Sequence, residues 1–165
     1  MANVTAQRNT KRLHIPAFEY EVEMLVRSGV TLYAGAMVGI DSTGALNKAD
    51  AASNTLTLGR LKHPPKLGYV VGDGVVKAKV ECGVFLYDNS GTDAVDANDV
   101  GRVCFVEDDH TVSETGSTTS TPAGIVYGLA LPGTGTQVAV IQGLSNRYAS
   151  IIALNATTGT GTNVR

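Results

Sequence analysis

The stretch VVGDGVVKAKVECGVFLYDNSGT (70–92) decides the fold class of this chain. After a Gly-Asp-Gly turn, apolar and polar residues alternate from residue 76 to residue 82. The apolar set is Val76, Ala78, Val80 and Cys82, and the polar set is Lys77, Lys79 and Glu81. Because successive strand residues point to opposite faces, this period of two predicts a β-strand with one buried face. Asp88-Asn89-Ser90-Gly91 predicts the turn that ends it.

Similar short strands are predicted along most of the chain. They are FEYEVEMLV (18–26), Val38–Ile40 before an Asp41–Gly44 turn, LTLGRL (56–61), VCFV (103–106), TVSE (111–114), AGIVYGLAL (123–131) and QVAVIQGL (137–144). DANDVG (96–101) is long enough for one helical turn at most. Short strands separated by turn signals are typical of all-β domains. We therefore expect one small β-barrel or sandwich of antiparallel strands over residues 18–145.

Both ends of the chain lack this periodicity. Residues 1–17 are polar and carry Arg8, Lys11 and Arg12, so we expect an extended arm that is loose in the free protein. No signal-peptide-like apolar run is visible there. Residues 146–165 end in a low-complexity Thr/Gly sequence, which predicts a flexible tail.

The charge of the chain is low but unevenly distributed. With 17% charged residues and a net charge of −2, the composition gives no reason to expect nucleic-acid or membrane binding. However, residues 81–114 hold nine of the fifteen acidic residues and one basic residue, Arg102. A basic arm and an acidic segment are consistent with contact to another molecule, including another copy, and equally with simple solubility.

The two cysteines, Cys82 and Cys104, lie within strand-like apolar runs. Their number and spacing indicate neither a disulfide framework nor a zinc site. We expect both to be buried and reduced, which suits synthesis in a cytoplasm.

The run Glu107-Asp108-Asp109-His110 has two interpretations, a metal site or the tip of a hairpin between VCFV and TVSE. Side chains of an extended strand alternate, so four in a row cannot converge on one ion. The glycine-containing pattern of a calcium loop is also absent. We therefore favour a surface hairpin with no bound metal, in which both aspartates are replaceable. His14 and His63 are isolated as well, and no activated-serine or phosphate-loop motif accompanies them.

Four segments in order resemble the capsid cement, or head decoration, proteins of tailed bacteriophages. They are AGAMVGIDSTGAL (34–46), GVFLYDNSGTDAVDANDVGRVCFVEDDHTVSETG (83–116), AGIVYG (123–128) and QVAVI (137–141). The most specific portion is 83–116. The resemblance implies a small β-barrel in which Asp108-Asp109 belongs to a surface hairpin.

The resemblance also implies a structural, non-enzymatic role without a cofactor. The protein would be made in the host cytoplasm and would bind the outer surface of the capsid, stabilising the head against DNA pressure. Its partners would be the major capsid protein and itself, as a homotrimer or, alternatively, a dimer. We expect contacts from the arm and first strand, where strand addition and positive charge are available. The residues are Arg8, Lys11, Arg12, His14, Ile15, Phe18 and Tyr20.

Two other function classes fit the length of the chain. A trimeric all-β nucleotide hydrolase of the dUTPase kind would need a phosphate-gripping tail, but the tail's basic residues are only Arg147 and Arg165. A receptor- or carbohydrate-binding module would need a stacking platform, which 5% aromatic residues and no tryptophan disfavour.

Overall fold

A computed structural model describes residues 5–8, 10, 12–13 (backbone only), 19–51, 56–62, 68–117, 120–130 and 137–143. Over these residues the protein is all-β, as predicted. The strands are β1 (Arg12–Leu13), β2 (Tyr20–Leu25), β3 (Thr31–Tyr33), β4 (Met37–Ile40), β5 (Leu46–Lys48), β6 (Leu56–Leu61), β7 (Tyr69–Val71), β8 (Lys77–Asn89), β9 (Val103–Asp108), β10 (Thr111–Ser113), β11 (Pro122–Leu129) and β12 (Gln137–Gln142). A 3-10 turn spans Ala97–Asp99. No helix in the described ranges is long and apolar enough to cross a membrane.

Five of the strands close into a barrel. Neighbours β8, β12, β11, β9 and β10 pair antiparallel in that order. The parallel pairing of β10 with β8, Thr111 opposite Asp88, completes the ring. Closure removes the free edges that would otherwise be available to other chains.

The long strand β8, 13 residues, belongs to two sheets at once. Its second half forms one wall of the barrel, while its first half pairs with β2 and β6. The sheet continues from β6 to β4 and β5. Strands β3 and β7 form a separate two-stranded ribbon. The strand predicted from 70–92 is therefore the element to which most of the fold is attached.

Two large hydrophobic cores and a small cluster of Val84, Leu86 and Ala139 follow from this arrangement. The barrel interior is filled by side chains that include Phe85, Tyr87, Val106, Val138 and Val140, each at most 2% exposed. Its buried Tyr87 and Gln142 are hydrogen-bonded, since the Tyr87 hydroxyl donates to Gln142 Oε1 at 2.7 Å and Gln142 Nε2 donates to the Ala123 carbonyl. The second core lies between β8 and the outer sheet and includes Val38, Leu58, Leu61, Val80 and Cys82.

The predicted strands and turns correspond closely to the observed ones. LTLGRL matches β6, and Asp41–Gly44 forms a turn in which the Gly44 N–H donates to the Asp41 carbonyl at 3.0 Å. Residues 19, 26 and 143, placed at strand ends from sequence, lie outside β2 and β12, and residues 18 and 144 lie outside the described residues. Strands β3, β5 and β7 were not predicted, because three-residue strands carry too little periodicity.

The alternation predicted for β8 has one exception. Lys77 and Lys79 are exposed as expected, but Glu81 is only 8% exposed. The expectation for Glu81 was wrong because Arg60 of the neighbouring strand β6 pairs with it. The boundary at residue 145 and the tail 146–165 lie outside the described residues.

Candidate functional site: the arm seat and the β9–β10 turn

The described part of the N-terminal arm lies against the domain. Strand β1 pairs antiparallel with β8, Arg12 opposite Phe85 and Leu13 opposite Val84. The Arg8 N–H donates to the Ala34 carbonyl at 2.8 Å, and the buried Thr10 hydroxyl donates to the Gly35 carbonyl at 2.5 Å. The expectation of a loose arm was therefore wrong for these residues. Backbone hydrogen bonds hold the segment without requiring an apolar pattern.

Two glycines make room for the arm. Gly35 has φ +84°, and a Cβ there would lie 1.9 Å from the Arg8 carbonyl oxygen. A Cβ at Gly68, which has φ +68°, would lie 2.4 Å from Gln7 Oε1. Any larger residue at position 35 would collide with arm backbone, which cannot swing aside as a side chain can. We call this surface, formed by Ala34, Gly35, Arg60 and Gly68, the arm seat.

Arg60 is the charged centre of the arm seat. Its NH2 and Nε atoms lie 2.5 and 3.2 Å from Glu81 Oε2, and its NH1 atom donates to the Thr10 carbonyl. The guanidinium also lies 4.8 Å from the centre of the Phe85 ring. The side chains of Arg60 and Glu81 are 17% and 10% exposed, so they form a largely buried ion pair. Through its bond to the Thr10 carbonyl, Arg60 connects the arm to strands β6 and β8. The sequence offered no signal, because Arg60 and Glu81 are 21 positions apart.

Arg8 pairs with the acidic segment of its own chain. Its NH2 atom lies 2.6 Å from Asp88 Oδ2, with side chains 31% and 39% exposed. At this exposure the pair contributes about 0.5 kcal/mol. Arg8 was expected to contact a capsid, but here its partner is intramolecular. At this position, therefore, the basic arm pairs with the acidic segment of the same molecule.

The other predicted contact residues fall into two groups. Tyr20 lies in β2 opposite Cys82, is 37% exposed, and has its hydroxyl next to Gly143. For Arg12 the structure describes the backbone, which lies in β1. Lys11, His14, Ile15 and Phe18 lie outside the described residues, as do His63, Arg147 and Arg165.

Asp109 and His110 form a two-residue connection between β9 and β10, so the predicted hairpin is confirmed. Its predicted surface position was wrong. Asp108 is 4% and Asp109 2% exposed. The turn folds inward because its carbonyls accept backbone hydrogen bonds from other strands: Asp109 from Met37 at 2.7 Å, and His110 from Asp88 at 2.9 Å. Both aspartate side chains are thus enclosed by the fold.

Three side chains of this turn converge. His110 Nδ1 lies 3.0 Å from Asp108 Oδ1 and 3.2 Å from Asp109 Oδ1. The Asp108 Oδ1 atom also accepts the His110 backbone N–H at 3.0 Å. The argument that consecutive side chains cannot converge applied to an extended strand, but the strand ends at Asp108. We call Asp108, Asp109 and His110 the turn cluster.

The turn cluster is not fully satisfied by hydrogen bonds. Among the described residues, Asp108 Oδ2 is buried without a hydrogen-bond partner, as is Oε2 of the preceding Glu107. Burying an ionised carboxylate oxygen without a partner is energetically unfavourable. The turn cluster is therefore the candidate site for a ligand among the described residues.

A second acidic group surrounds Glu114. Repulsion from Asp99, burial and then repulsion from Asp93 and Asp96 raise its pKa, which Arg102 lowers in part. Asp96 caps the 3-10 turn by accepting from the Asn98 N–H at 2.6 Å, and Asp99 accepts from the Asp96 N–H. Asp93 accepts from the Thr115 N–H and hydroxyl. The carboxylates of Asp93, Asp96 and Asp99 therefore serve to hold the local backbone in place.

Both cysteines are buried, as predicted, and neither takes part in a disulfide bond. The Cys104 thiol lies 3.7 Å from the Gly124 carbonyl oxygen, and burial raises its pKa to about 12. A thiol with so high a pKa is a poor nucleophile at neutral pH. Both cysteines therefore serve as small apolar core residues.

Comparison with known proteins does not identify a family for this chain. No protein-family model, curated protein or solved structure matches the chain.

Proposed function

We propose that this protein is a structural virion component that binds the outside of a bacteriophage capsid and stabilises the head. The observation that carries the proposal is the pattern of residues 83–116, which resembles that of capsid cement proteins. Its polar positions form turns: Asn89 Oδ1 accepts from the Val95 N–H at 2.9 Å, and Asn89 Nδ2 donates to the Val95 carbonyl at 2.8 Å. A pattern whose polar residues support the fold favours a structural role over a catalytic one.

The proposed contact surface is an apolar rim formed by Leu25, Tyr69, Val71 and Val75. Their exposed fractions are 40%, 37%, 52% and 77%. The segments that carry them are joined by hydrogen bonds from the Val26 N–H to the Val76 carbonyl and from the Gly29 N–H to the Gly72 carbonyl. Exposed apolar groups on adjoining segments favour a protein partner, because burying them on contact releases water.

The arm takes a supporting part in this proposal. In the free chain Arg8 pairs with Asp88 and Thr10 is buried. The described part of the arm therefore packs against its own domain and does not extend outward. The rim of a single copy is small, and tight binding would come from several copies engaging neighbouring capsid subunits together. A homotrimer fits that requirement, and a dimer would meet it less well.

A capsid-binding experiment tests the proposal. Capsids of the phage that encodes this chain are stripped of it and incubated with wild-type protein, Val75→Asp or Val71→Asp. Both substitutions place a charge on the rim, and we expect at least a tenfold loss of occupancy with an unchanged melting temperature. Val100→Asp, at a position 51% exposed outside the rim, is the control and should bind normally.

Absence of binding by the wild-type protein would contradict the function itself. If wild type and the rim variants occupied the capsid equally, capsid binding would stand, but the rim would not be the contact surface. Oligomeric state is read from sedimentation of the same samples.

A further inference from the structure

We propose that the turn cluster binds a divalent transition-metal cation, with Zn²⁺ as the best match to its donors. Asp108, Asp109 and His110 each offer one ligand atom, and these atoms all lie within 4.8 Å of one another. The inference concerns a stabilising site within the fold and stands apart from capsid binding.

The spacing of the donor atoms suits a shared ion. Ligands about 2.0–2.1 Å from a tetrahedral zinc lie roughly 3.3 Å from one another. His110 Nδ1 is already 3.0 Å from Asp108 Oδ1 and 3.2 Å from Asp109 Oδ1. All three donor atoms lie within 4.8 Å of one another, so the two carboxylates would draw together around the ion for three ligands to reach it.

The electrostatics of the turn favour a cation. The Asp108 side chain is 4% exposed, and its Oδ2 atom has no hydrogen-bond partner among the described residues. Within that part of the chain, no lysine or arginine lies within ion-pair distance of the Asp108 carboxylate. A divalent ion held by this carboxylate would balance its buried charge.

The donor set selects the type of ion. Two carboxylate oxygens and one imidazole nitrogen suit Zn²⁺, with a water molecule in the fourth position. Calcium prefers six to eight oxygen ligands, and magnesium keeps most of its water, so neither matches a compact site with a nitrogen donor. His110, with its side chain 18% exposed, provides the route to solvent.

A cation here would join several strands. Because the carbonyls of Asp109 and His110 bond to Met37 in β4 and Asp88 in β8, fixing the turn also fixes these contacts. An ion that binds the folded state and not the unfolded chain stabilises the fold in proportion to the logarithm of its concentration.

The experiment uses the untagged full-length protein, stripped with EDTA and desalted. Titration calorimetry with Zn²⁺, and separately with Mn²⁺, Ca²⁺ and Mg²⁺, should show one tight site for Zn²⁺ and much weaker binding of Ca²⁺ and Mg²⁺. Saturating Zn²⁺ should raise the melting temperature by about 5 °C or more. Asp108→Asn keeps an acceptor for the His110 N–H and removes the charge, and His110→Gln removes the nitrogen donor. Each should lower Zn²⁺ affinity at least a hundredfold and abolish the thermal shift.

Two controls separate the turn cluster from other donors. Glu114→Gln removes an exposed carboxylate outside the turn, and the pair His14→Gln with His63→Gln removes the other histidines; both should bind Zn²⁺ like wild type. The proposal is overturned if wild type binds neither Zn²⁺ nor Mn²⁺ stoichiometrically. It is also overturned if binding survives Asp108→Asn and His110→Gln, or if it is lost with His14 and His63. If Asp108→Asn fails to fold, His110→Gln decides the outcome.

Discussion

The arm seat and the turn cluster both bury charged side chains that the sequence places at the surface, yet they differ in how those charges are balanced. In the seat, Glu81 faces the guanidinium of Arg60, which also bonds the Thr10 carbonyl. In the turn, the imidazole of His110 lies against the Asp108 carboxylate, whose Oδ2 atom has no hydrogen-bond partner within the described part of the chain. A balanced buried charge is a structural device. An unbalanced one indicates a place for a ligand.

The largest effect is expected at Arg60. Arg60→Met leaves Glu81 buried without its counter-charge and should lower the free energy of unfolding by about 3–4 kcal/mol. Denaturant unfolding measures this, with Lys79→Met, an exposed lysine on the adjacent strand, as the control. The double variant Arg60→Met with Glu81→Leu should regain much of the loss. No recovery would mean that Arg60 acts mainly through Thr10 and Phe85.

The second prediction concerns the arm seat itself and uses two glycines with similar backbone angles. Gly35→Ala and Gly29→Ala share the penalty of a positive φ, but only Gly35 faces the Arg8 carbonyl, since nothing lies within 4 Å of a Cβ at Gly29. We expect Gly35→Ala to cost about 1–2 kcal/mol more than Gly29→Ala. In a chain lacking residues 2–10 this excess should disappear. If Gly35→Ala still cost more stability than Gly29→Ala in the truncated chain, contact with the arm would not be the cause of the difference.

The third prediction concerns Asp41, a carboxylate that has partners for both oxygens. Burial raises its pKa, but hydrogen bonds from the Thr43 hydroxyl and the Thr43 and Ala45 N–H groups, together with Arg27, lower the pKa below 3.8 overall. A depressed carboxyl pKa contributes stability above the unfolded value that is lost as pH falls through the folded value. Asp41→Asn should therefore cost about 1 kcal/mol at pH 7 and less towards pH 2, measured by chemical denaturation across that range. A difference independent of pH would contradict this.

The smallest effect is expected at Glu114, which lies among like charges on the surface. Because Asp99, Asp93 and Asp96 raise its pKa, Glu114→Gln should increase the melting temperature slightly at pH 7. The gain should shrink in high salt, which screens the repulsion. Thermal denaturation at two ionic strengths checks both parts. A decrease at low salt would show that Glu114 makes a favourable contact.

Local pattern predicted the elements that depend on neighbours in the chain. The alternation of 76–82 except at Glu81, the Asp41–Gly44 turn and a hairpin between VCFV and TVSE were all recovered, because strand faces and tight turns are set by residues within a few positions. The burial of both cysteines followed from the same alternation.

The same pattern failed where distant segments meet. The run Val84–Tyr87 is buried on both faces, because Phe85 and Tyr87 pack in the barrel core while Val84 and Leu86 pack with Ala139 on the other side, which no alternation can express. Likewise, the arm has no apolar periodicity, yet it is held by backbone hydrogen bonds and by space at Gly35. Those contacts join residues 25 or more positions apart, so no local signal indicates them.

The sequence by itself determined that this chain is all-β, where most of its longer strands run, and that the run of residues 107–110 contains a hairpin turn. Only the tertiary structure decided that the turn points inward, that its three polar side chains converge, and that the arm is seated. The physical reason is that strand propensity and turn chemistry are local, whereas burial depends on which strands close the barrel. A charged residue is therefore assigned to the surface until its neighbours in space are known.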